Sequence, residues 1–396
     1  GRRSDVTHLS EFQSNNDALA QIDEDGLISA GELPGQSAVM ARYLGATEIC
    51  RLLVPRPGET TDTPFPPAHS FIDEAVYANL KKLNLRPSGL ADDATFLRRA
   101  YLDIIGTLPT AAEAQEFLSN QDPGRRARLV DALLERPEYA DYWALKWADL
   151  LRVDSEKLGR RGAYDYYRWI RESLLENKPF DVLCRELVTA EGPLTESPAG
   201  NFFKVVSRPG DMASSLSQVF LGVRIACAEC HHHPYDRWSE DDYYGMQAFF
   251  QPVAQRKAGL DEMILAAGNP AAKNPRTGKD IFPYPLGGDA PAEAPVEGPD
   301  RRKELAKWLT APDNPWFARN LANRMAAHFF GRGLVEPVDD VRATNPPSNP
   351  ELYDALAKHA VDVKFDLKAI IRTLTASRTY QLSSHPDETN EIDEQN

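Results

Sequence analysis

Most of this chain carries the spacing of amphipathic helices, and that spacing limits the folds open to it. In residues 92–109, DDATFLRRAYLDIIGTLP, apolar side chains recur every three or four positions and fall on one helical face. Gly106 stands where such a helix would end, because glycine adopts the left-handed conformation that closes many helices. We therefore predict a mainly α-helical protein. Further stretches with this spacing lie at about 138–152, 163–175, 179–190 and 211–221.

The composition changes along the chain and divides it into four segments. Residues 1–57 contain short apolar and β-branched runs between Asp-Gly and Pro-Gly pairs, which predicts strands. A helical domain is predicted over 66–253. Residues 254–299 are dense in proline, glycine and alanine and have no sustained period, so we predict an irregular linker. A second helical domain is predicted over 300–396, with its strongest helix between Asn314 and Phe330.

The composition also narrows the classes of partner. The chain has 396 residues, of which 42% are hydrophobic and 26% charged, as in an ordinary globular protein. Its formal net charge of −14 would repel the phosphates of DNA or RNA, so we predict no nucleic-acid partner. No apolar run approaches the roughly 18 residues that a spanning helix needs, so we predict no membrane span in this sequence. The basic clusters, such as Arg301-Arg302-Lys303, are expected on solvated faces.

The cysteines are too few to form a disulfide scaffold, since the chain has only four. Cys227 and Cys230 form one local pair. Cys50 and Cys184 lie far apart in the sequence. We expect them to be two buried free thiols, with a bridge in an oxidising compartment as the alternative.

Residues 21–32, QIDEDGLISAGE, resemble a calcium-binding EF-hand loop at several ligand positions. The first ligand position, however, holds Gln21, a neutral amide where a carboxylate is usual. An EF-hand also needs a helix on each side, whereas Pro34-Gly35 and an alternating run follow here. The pattern therefore predicts a strand, a turn and a second strand.

The stretch CAECHHHPYDRW, residues 227–238, carries the pattern for covalent attachment of a c-type haem. Two thiols must add to the two vinyl groups on one edge of the porphyrin. Because two residues separate Cys227 from Cys230, one helical turn presents both sulfurs to that edge. His231 follows at once and brings its imidazole to the iron as the proximal ligand. We therefore predict haem c as the cofactor.

Two other interpretations of this cluster stay open. Cys227, Cys230, His231 and His233 are thiolates and imidazoles, which suit a tetrahedral zinc ion or another bare metal such as iron. Structural zinc usually recruits a second ligand pair from a distant segment, and no second cysteine pair exists. The cluster is otherwise a solvent-facing histidine turn with free thiols or a local disulfide.

Several neighbours are candidates for the surroundings of the metal. We expect Trp238 to pack against whatever occupies the site. Asp236 either orients a histidine or caps the turn, and the sequence does not distinguish these roles. His328 is a candidate for the sixth position on the iron and Met246 is another, while an open or water-filled position is the third possibility.

The sequence around the motif resembles a known family. The resemblance is to the cytochrome-associated domain of unknown function that is abundant in planctomycete bacteria. Residues 71–110 and 133–152 resemble the start of the same domain. The positions that match its motif are Phe220, Leu221, Gly222, Val223, Cys227, Ala228, Cys230, His231, His233, Pro234 and Trp238.

The block from Arg301 to about Ser384 resembles the usual companion of that domain, a second planctomycete domain of unknown function. The companion tends to place a tryptophan two residues before the motif histidine, here His328, and this chain has Ala326. A pocket role carried over to His328 is weaker for that difference. Residues 1–57 resemble the later strands of a bacterial immunoglobulin-like domain. The resemblance implies that the protein continues beyond both ends shown.

Taken together, these features predict an extracytoplasmic protein that carries haem c and transfers single electrons to a redox partner, such as another cytochrome. The localisation is expected to be periplasmic, cell-surface or secreted, because haem is attached outside the cytoplasm. One alternative is an enzyme with an open metal position beside His232, His233 and Asp236. Another is a cofactor-free surface or matrix protein that adheres through its immunoglobulin-like part.

Overall fold

The computed structural model describes residues 3–44, 46–58, 65–259, 261–291, 300–386 and 390–391. The fold is mainly α-helical with several small sheets, as predicted. The helices are α1 (Phe71–Lys82), α2 (Asp93–Ile105), α3 (Ala111–Ser119), α4 (Arg125–Leu134), α5 (Pro137–Leu150), α6 (Ser155–Leu175), α7 (Phe180–Val188), α8 (Asn201–Val205), α9 (Pro209–Leu216), α10 (Glu240–Ala248), α11 (Arg302–Leu309), α12 (Phe317–Phe330), α13 (Pro350–Asp362), α14 (Leu367–Ala376) and α15 (Arg378–Gln381).

The strands are short and pair antiparallel. Residues 1–57 contribute a three-stranded sheet, β1-β4-β5, and a β2-β3 hairpin, so the strands predicted there are present. An immunoglobulin-like sandwich is not shown. The strands are β1 (Glu11–Ser14), β2 (Ala20–Ile22), β3 (Ile28–Ala30), β4 (Gly35–Tyr43), β5 (Ala46–Val54), β6 (Gly192–Pro193), β7 (Val253–Ala258), β8 (Asp261–Ala266), β9 (Ala272–Lys273) and β10 (Asp280–Ile281).

The stretch with the EF-hand resemblance forms the β2-β3 hairpin, with Ile22 opposite Ile28. The Asp23 carboxylate accepts hydrogen bonds from the backbone N–H groups of Asp25 and Leu27, at 3.0 and 2.8 Å. It closes the turn in the way that aspartate side chains commonly do. The predicted strand, turn and strand are confirmed.

The helix ends follow the capping signals of the sequence. Gly106 closes α2 with φ +71°, and a Cβ there would lie 2.3 Å from the Tyr142 ring, so the position needs glycine for two reasons. Thr110 and Glu113 form the capping box of α3. Asp122 followed by Pro123 is typical of an N-cap and a first helical residue. Here, however, Asp122 accepts from the Gly124 N–H in a turn, and α4 begins only at Arg125.

One continuous core joins the helices on both sides of the predicted linker. Phe180 of α7 is 2% exposed, and its ring lies 4.6 Å from that of Trp147 and 5.8 Å from that of Phe317 in α12. The two predicted helical segments therefore bury their apolar faces against each other. Within 254–299, the described residues are also less irregular than predicted, because β8 pairs with both β6 and β7 and β9 pairs with β10. Residues 260 and 292–299 lie outside the described residues.

Arg302 departs from the solvated position that its basic cluster suggests. Its side chain is fully buried, with the guanidinium 2.9 Å from the Asp300 carboxylate and 3.0 Å from the Ala190 carbonyl. The guanidinium also lies over the Phe203 ring at 5.2 Å. Burial of this charge is tolerated because it is paired and hydrogen-bonded, which a run of basic letters does not reveal.

Along the described ranges, none of the helices combines the length and the apolarity that crossing a lipid bilayer requires.

Replacing Phe180 by alanine should lower the free energy of unfolding by about 3–5 kcal/mol, because a buried aromatic ring leaves a cavity. Because the core is shared, both helical segments should unfold in one transition. In the variant, the midpoint of that single transition should shift to a lower urea concentration. Urea unfolding followed by circular dichroism and by tryptophan fluorescence measures both. Leu145→Ala on α5, at a side chain 62% exposed, is the control and should change little. Two separate transitions, of which only one responds to Phe180, would contradict the shared core.

Candidate functional site

The two cysteines of the motif lie on one tight turn at the surface. A 3-10 helix runs from Ala226 to Glu229, and Cys230 follows it directly. A 3-10 helix has three residues per turn, and Cys230, the residue that caps this helix, stands three positions after Cys227. Both cysteines are exposed and free. The turn therefore presents two free cysteines to solvent, three positions apart.

The opposite side of this turn is anchored in the core. Ile225 and Ala228 are both fully buried, and the Ala228 N–H donates to the Ile225 carbonyl at 2.9 Å. The hydroxyl of Tyr244, on α10, donates to the Glu229 carbonyl at 3.0 Å. Ala228 leaves no room for a larger side chain without moving the turn, which gives a physical reason for alanine between the cysteines.

The imidazole of His231 is oriented by its own backbone. Its Nδ1 lies 2.7 Å from the His232 carbonyl oxygen. A carbonyl only accepts, so Nδ1 must carry the proton and Nε2 keeps its lone pair. Ligating histidines are commonly held by such a bond from the second nitrogen. The exposed His231 side chain is thus set in the tautomer that a metal bond through Nε2 requires.

His233 has the opposite tautomer. Its Nδ1 accepts from the Tyr235 N–H at 3.2 Å, so the proton of the neutral ring is on Nε2. Burial lowers the pKa of His233, which keeps the ring neutral near pH 7, and the Asp236 carboxylate opposes that shift only in part. Neither nitrogen is ready to bind a metal. His232 is exposed, and its carbonyl accepts the hydrogen bond from the His231 Nδ1.

Asp236 serves the turn and also faces His233. Its Oδ1 accepts from the Arg237 N–H at 2.8 Å, and burial raises the pKa of the carboxyl. The indole N–H of Trp238 lies close enough to oppose that rise but forms no hydrogen bond of standard geometry. The carboxylate therefore caps the turn, and it acts on His233 through its charge. That Asp236 orients a histidine stays a prediction.

Trp238 is 3% exposed and forms the base of the histidine loop, which we define as residues 231–238. Its ring packs edge to face on Trp316 at 5.8 Å, and the Arg237 guanidinium lies 4.7 Å over it. Clefts of about 460 and 430 Å³ flank the loop, the first towards the N-terminal sheet and the second towards residues 315–354. That Trp238 packs against a cofactor remains a prediction.

Residues far away in the sequence hold the histidine loop, and sequence reasoning did not identify them. Arg42 of β4 donates to the Pro234 carbonyl at 2.7 Å, and the Thr344 hydroxyl donates to the Tyr235 carbonyl at 2.9 Å. Neither Arg42 nor Thr344 lies in a motif. Their spacing from the loop, 192 and 109 residues, leaves no local signal that could have revealed them.

The donors of a bare metal site are not brought together. Within the described ranges, no group of three or more histidine, cysteine, aspartate or glutamate side chains is arranged to hold an ion. The His233 Nδ1 is engaged by Tyr235, so a site with Cys227, Cys230, His231 and His233 would need the loop to rearrange. The four side chains therefore do not form a four-coordinate zinc site as they stand, whereas a haem c would need only the two cysteines and His231.

The two candidates for the sixth position lie in other surroundings. His328 on α12 bonds through Nε2 to the Asp103 carbonyl at 2.8 Å, and its ring packs on Trp143 at 4.8 Å. These partners belong to α2 and α5 rather than to the histidine loop. Met246 on α10 is fully buried. The structure does not place either side chain beside His231 among the contacts it describes.

The remaining cysteines are both free. Cys184 is buried, as expected, whereas Cys50 on β5 is exposed. The expectation of two buried thiols is therefore wrong for Cys50, because alternate residues of this strand face solvent.

Comparison with known proteins places two domains of unknown function in the chain. Residues 71–255 match the family model PSCyt2, a protein of unknown function (DUF1549), and residues 301–396 match PSD1, a protein of unknown function (DUF1553). The thiol turn and the histidine loop lie in the first match. The matches do not include the N-terminal sheet, and its immunoglobulin-like character is not confirmed. No curated protein and no solved structure gives a significant match.

Replacing His328 by glutamine should weaken the pH dependence of stability. Burial lowers the pKa of His328 below its unfolded value of about 6.5, so the unfolded chain binds the proton first and stability falls as the pH drops through that value. Glutamine keeps a donor for the Asp103 carbonyl and does not titrate. The variant should therefore lose less unfolding free energy than the unmodified protein between about pH 6.5 and 5. Urea titration at each pH measures this loss.

The exposed side chain of Leu145 provides the control, and Leu145→Ala should leave the pH profile as it is. A profile for His328→Gln that coincides with the unmodified protein would show that His328 is not held neutral by burial.

Proposed function

We propose that this protein carries one covalently attached haem c and acts in electron transfer outside the cytoplasm. Cys227 and Cys230 are the attachment residues, and His231 is the proximal ligand. The observation that carries the proposal is the thiol turn itself, with two exposed free thiols three positions apart and an imidazole directly after them.

The local chemistry supports this assignment at each atom. Each thiol would add to one vinyl group of the haem, with its sulfur bonded to one vinyl carbon and its proton passed to the other. Both sulfurs are exposed, which attachment requires, and the buried Ala228 keeps the turn fixed between them. The His231 Nε2 has a free lone pair because Nδ1 donates to the His232 carbonyl.

The bound group would supply a one-electron couple, and the chain would set its properties. His231 would hold the iron through Nε2, and its Nδ1 hydrogen bond would make the imidazole a stronger donor, which would favour the oxidised state. The buried ring of Trp238 limits the access of water to the base of the loop. A redox partner, such as another cytochrome, would receive or deliver the electron.

The place of attachment and the N-terminal sheet complete the proposal. Because haem c is attached outside the cytoplasm, we assign the protein to the periplasm, the cell surface or the secreted fraction.

The β1-β4-β5 sheet and the β2-β3 hairpin fit the last strands of an immunoglobulin-like domain, and their antiparallel pairing supports that resemblance.

An enzyme is the second candidate, and the cleft of about 460 Å³ beside His232, His233 and Asp236 favours it. Such a cleft gives a small molecule access to the loop. Addition of imidazole or cyanide to the haem-loaded protein distinguishes the two functions. Binding without displacement of a protein ligand favours the enzyme, and resistance to both ligands favours electron transfer.

Expression in a host with haem-attachment machinery should give a protein with a c-type α-band when reduced. The band should survive denaturation and extraction with acid acetone, because the thioether bonds are covalent. Cys227→Ser with Cys230→Ser should abolish the retained band. Cys50→Ser, which replaces another exposed free thiol, is the matched control and should leave it intact.

A retained band in the double variant would show that the anchors are wrong. No band in the unmodified protein, together with bound zinc or iron by elemental analysis, would favour the bare metal site. Neither haem nor metal would favour the cofactor-free surface protein.

A further inference from the structure

The N-terminal sheet reaches the histidine loop directly through the side chain of Arg42. Arg42 of β4 is half-buried, and its Nη1 donates to the Pro234 carbonyl at 2.7 Å. The same guanidinium donates through Nη2 to the Glu11 carboxylate at 2.7 Å. Glu11 lies directly opposite Arg42 in the β1-β4 register, so the sheet itself fixes the position of the carboxylate. Arg42 therefore spans the sheet and the loop.

A second chain of bonds returns from the loop to the same part of the protein. The Thr344 hydroxyl donates to the Tyr235 carbonyl and accepts from Arg342, at 2.9 and 2.8 Å. The Thr344 carbonyl accepts from the Asn15 amide at 2.7 Å, and Asn15 immediately follows β1. The sheet thus holds Pro234 directly and holds Tyr235 through Thr344, so two consecutive carbonyls of the loop are fixed from outside it.

The loop is also closed on itself, so restraint at Pro234 extends to the histidines. The His233 N–H donates to the Trp238 carbonyl at 2.8 Å, and Trp238 is buried against Trp316. Only His232 separates this closed segment from His231, and the His232 carbonyl is the group that orients the His231 ring. A movement of Pro234 would change the direction of that carbonyl.

We infer that Arg42 is a positioning residue for His231, and that the N-terminal sheet is thereby part of the haem site. The inference rests on the proposed haem attachment. Arg42 touches neither the iron nor the porphyrin in this account. It fixes the backbone that aims the imidazole, which lowers the cost of ordering the loop when the iron bond forms. Both family matches exclude Arg42, so the role belongs to the way this chain combines its segments.

The test uses the haem-loaded protein and its haem-free form. In the haem-free form, Arg42→Ala should speed hydrogen exchange in the peptide that contains residues 231–238, by about tenfold, because the loop opens more often. In the haem-loaded form, it should weaken the bond from iron to His231 about tenfold, the lower end of the loss seen when partners of metal ligands are removed. Because the bond is weaker, acid should release the imidazole at a pH about one unit higher. The absorption spectrum measures this release.

Three further variants separate positioning from charge and from general stability. Arg42→Lys keeps the charge but cannot reproduce the fork that spans Glu11 and Pro234, so an intermediate effect is expected. Glu11→Gln should act in the same direction but less, and it serves if Arg42→Ala does not fold. Arg168→Ala removes another surface ion pair, Arg168 with Glu172 at 2.7 Å on α6, and should change neither readout.

The outcomes separate this inference from the proposed function. Covalent haem in every variant, with loop exchange and acid transition unchanged in Arg42→Ala, overturns the positioning role and leaves haem attachment intact. An Arg42→Lys protein identical to the unmodified one also overturns it, since charge alone would then explain the effect. A lack of covalent haem in the unmodified protein overturns the proposed function and this inference with it.

Discussion

The arrangement of this protein depends on a turn that is buried on one side and open on the other. Ile225 and Ala228 hold the turn in the core, while Cys227 and Cys230, three positions apart on it, are exposed. Flexible thiols would seldom face the same porphyrin edge together, whereas an anchored turn presents both at no further entropic cost. The backbone also sets the tautomer of His231, the next residue. Its Nδ1 donates to the His232 carbonyl, so Nε2 stays free.

The core behind the turn gives this anchoring its strength. Aromatic side chains from α5, α7, the π-helical turn at Ser217–Leu221 and α12 meet around Phe180. The π-helical turn ends four residues before Ile225, so packing in the core and the position of the thiols are mechanically connected. The C-terminal helices are thus a support for the site as well as a separate family match, which gives a physical reason why the two domains occur together in this chain.

The local elements were predictable from the sequence, since each depends on residues close to one another. The helix over Asp93–Ile105 buries one apolar face, as its spacing predicts; the buried side chains are Phe96, Leu97, Ala100, Tyr101, Ile104 and Ile105. Gly106 ends this helix, and Thr110 begins the next with its capping box. The thiol turn was predictable for the same reason.

Long-range pairings were not predictable, because they depend on the folded arrangement. Arg302 belongs to a basic cluster in the sequence, yet it is buried and paired with Asp300. His328 forms a hydrogen bond with the Asp103 carbonyl. Arg42 and Thr344, which hold the histidine loop, carry no pattern at all. The strands inside the predicted linker were not foreseen, because β8 forms its sheet by pairing with β6, about seventy residues earlier, and no local period can show such a pairing.

The most direct test of the account is the mass of the peptide that contains Cys227 and Cys230 after expression with haem-attachment machinery and complete denaturation. The account predicts a peptide heavier by one haem, with fragmentation that places the added mass on both cysteines. A peptide of unmodified mass, or one lighter by two hydrogens because the sulfurs are joined, would contradict it.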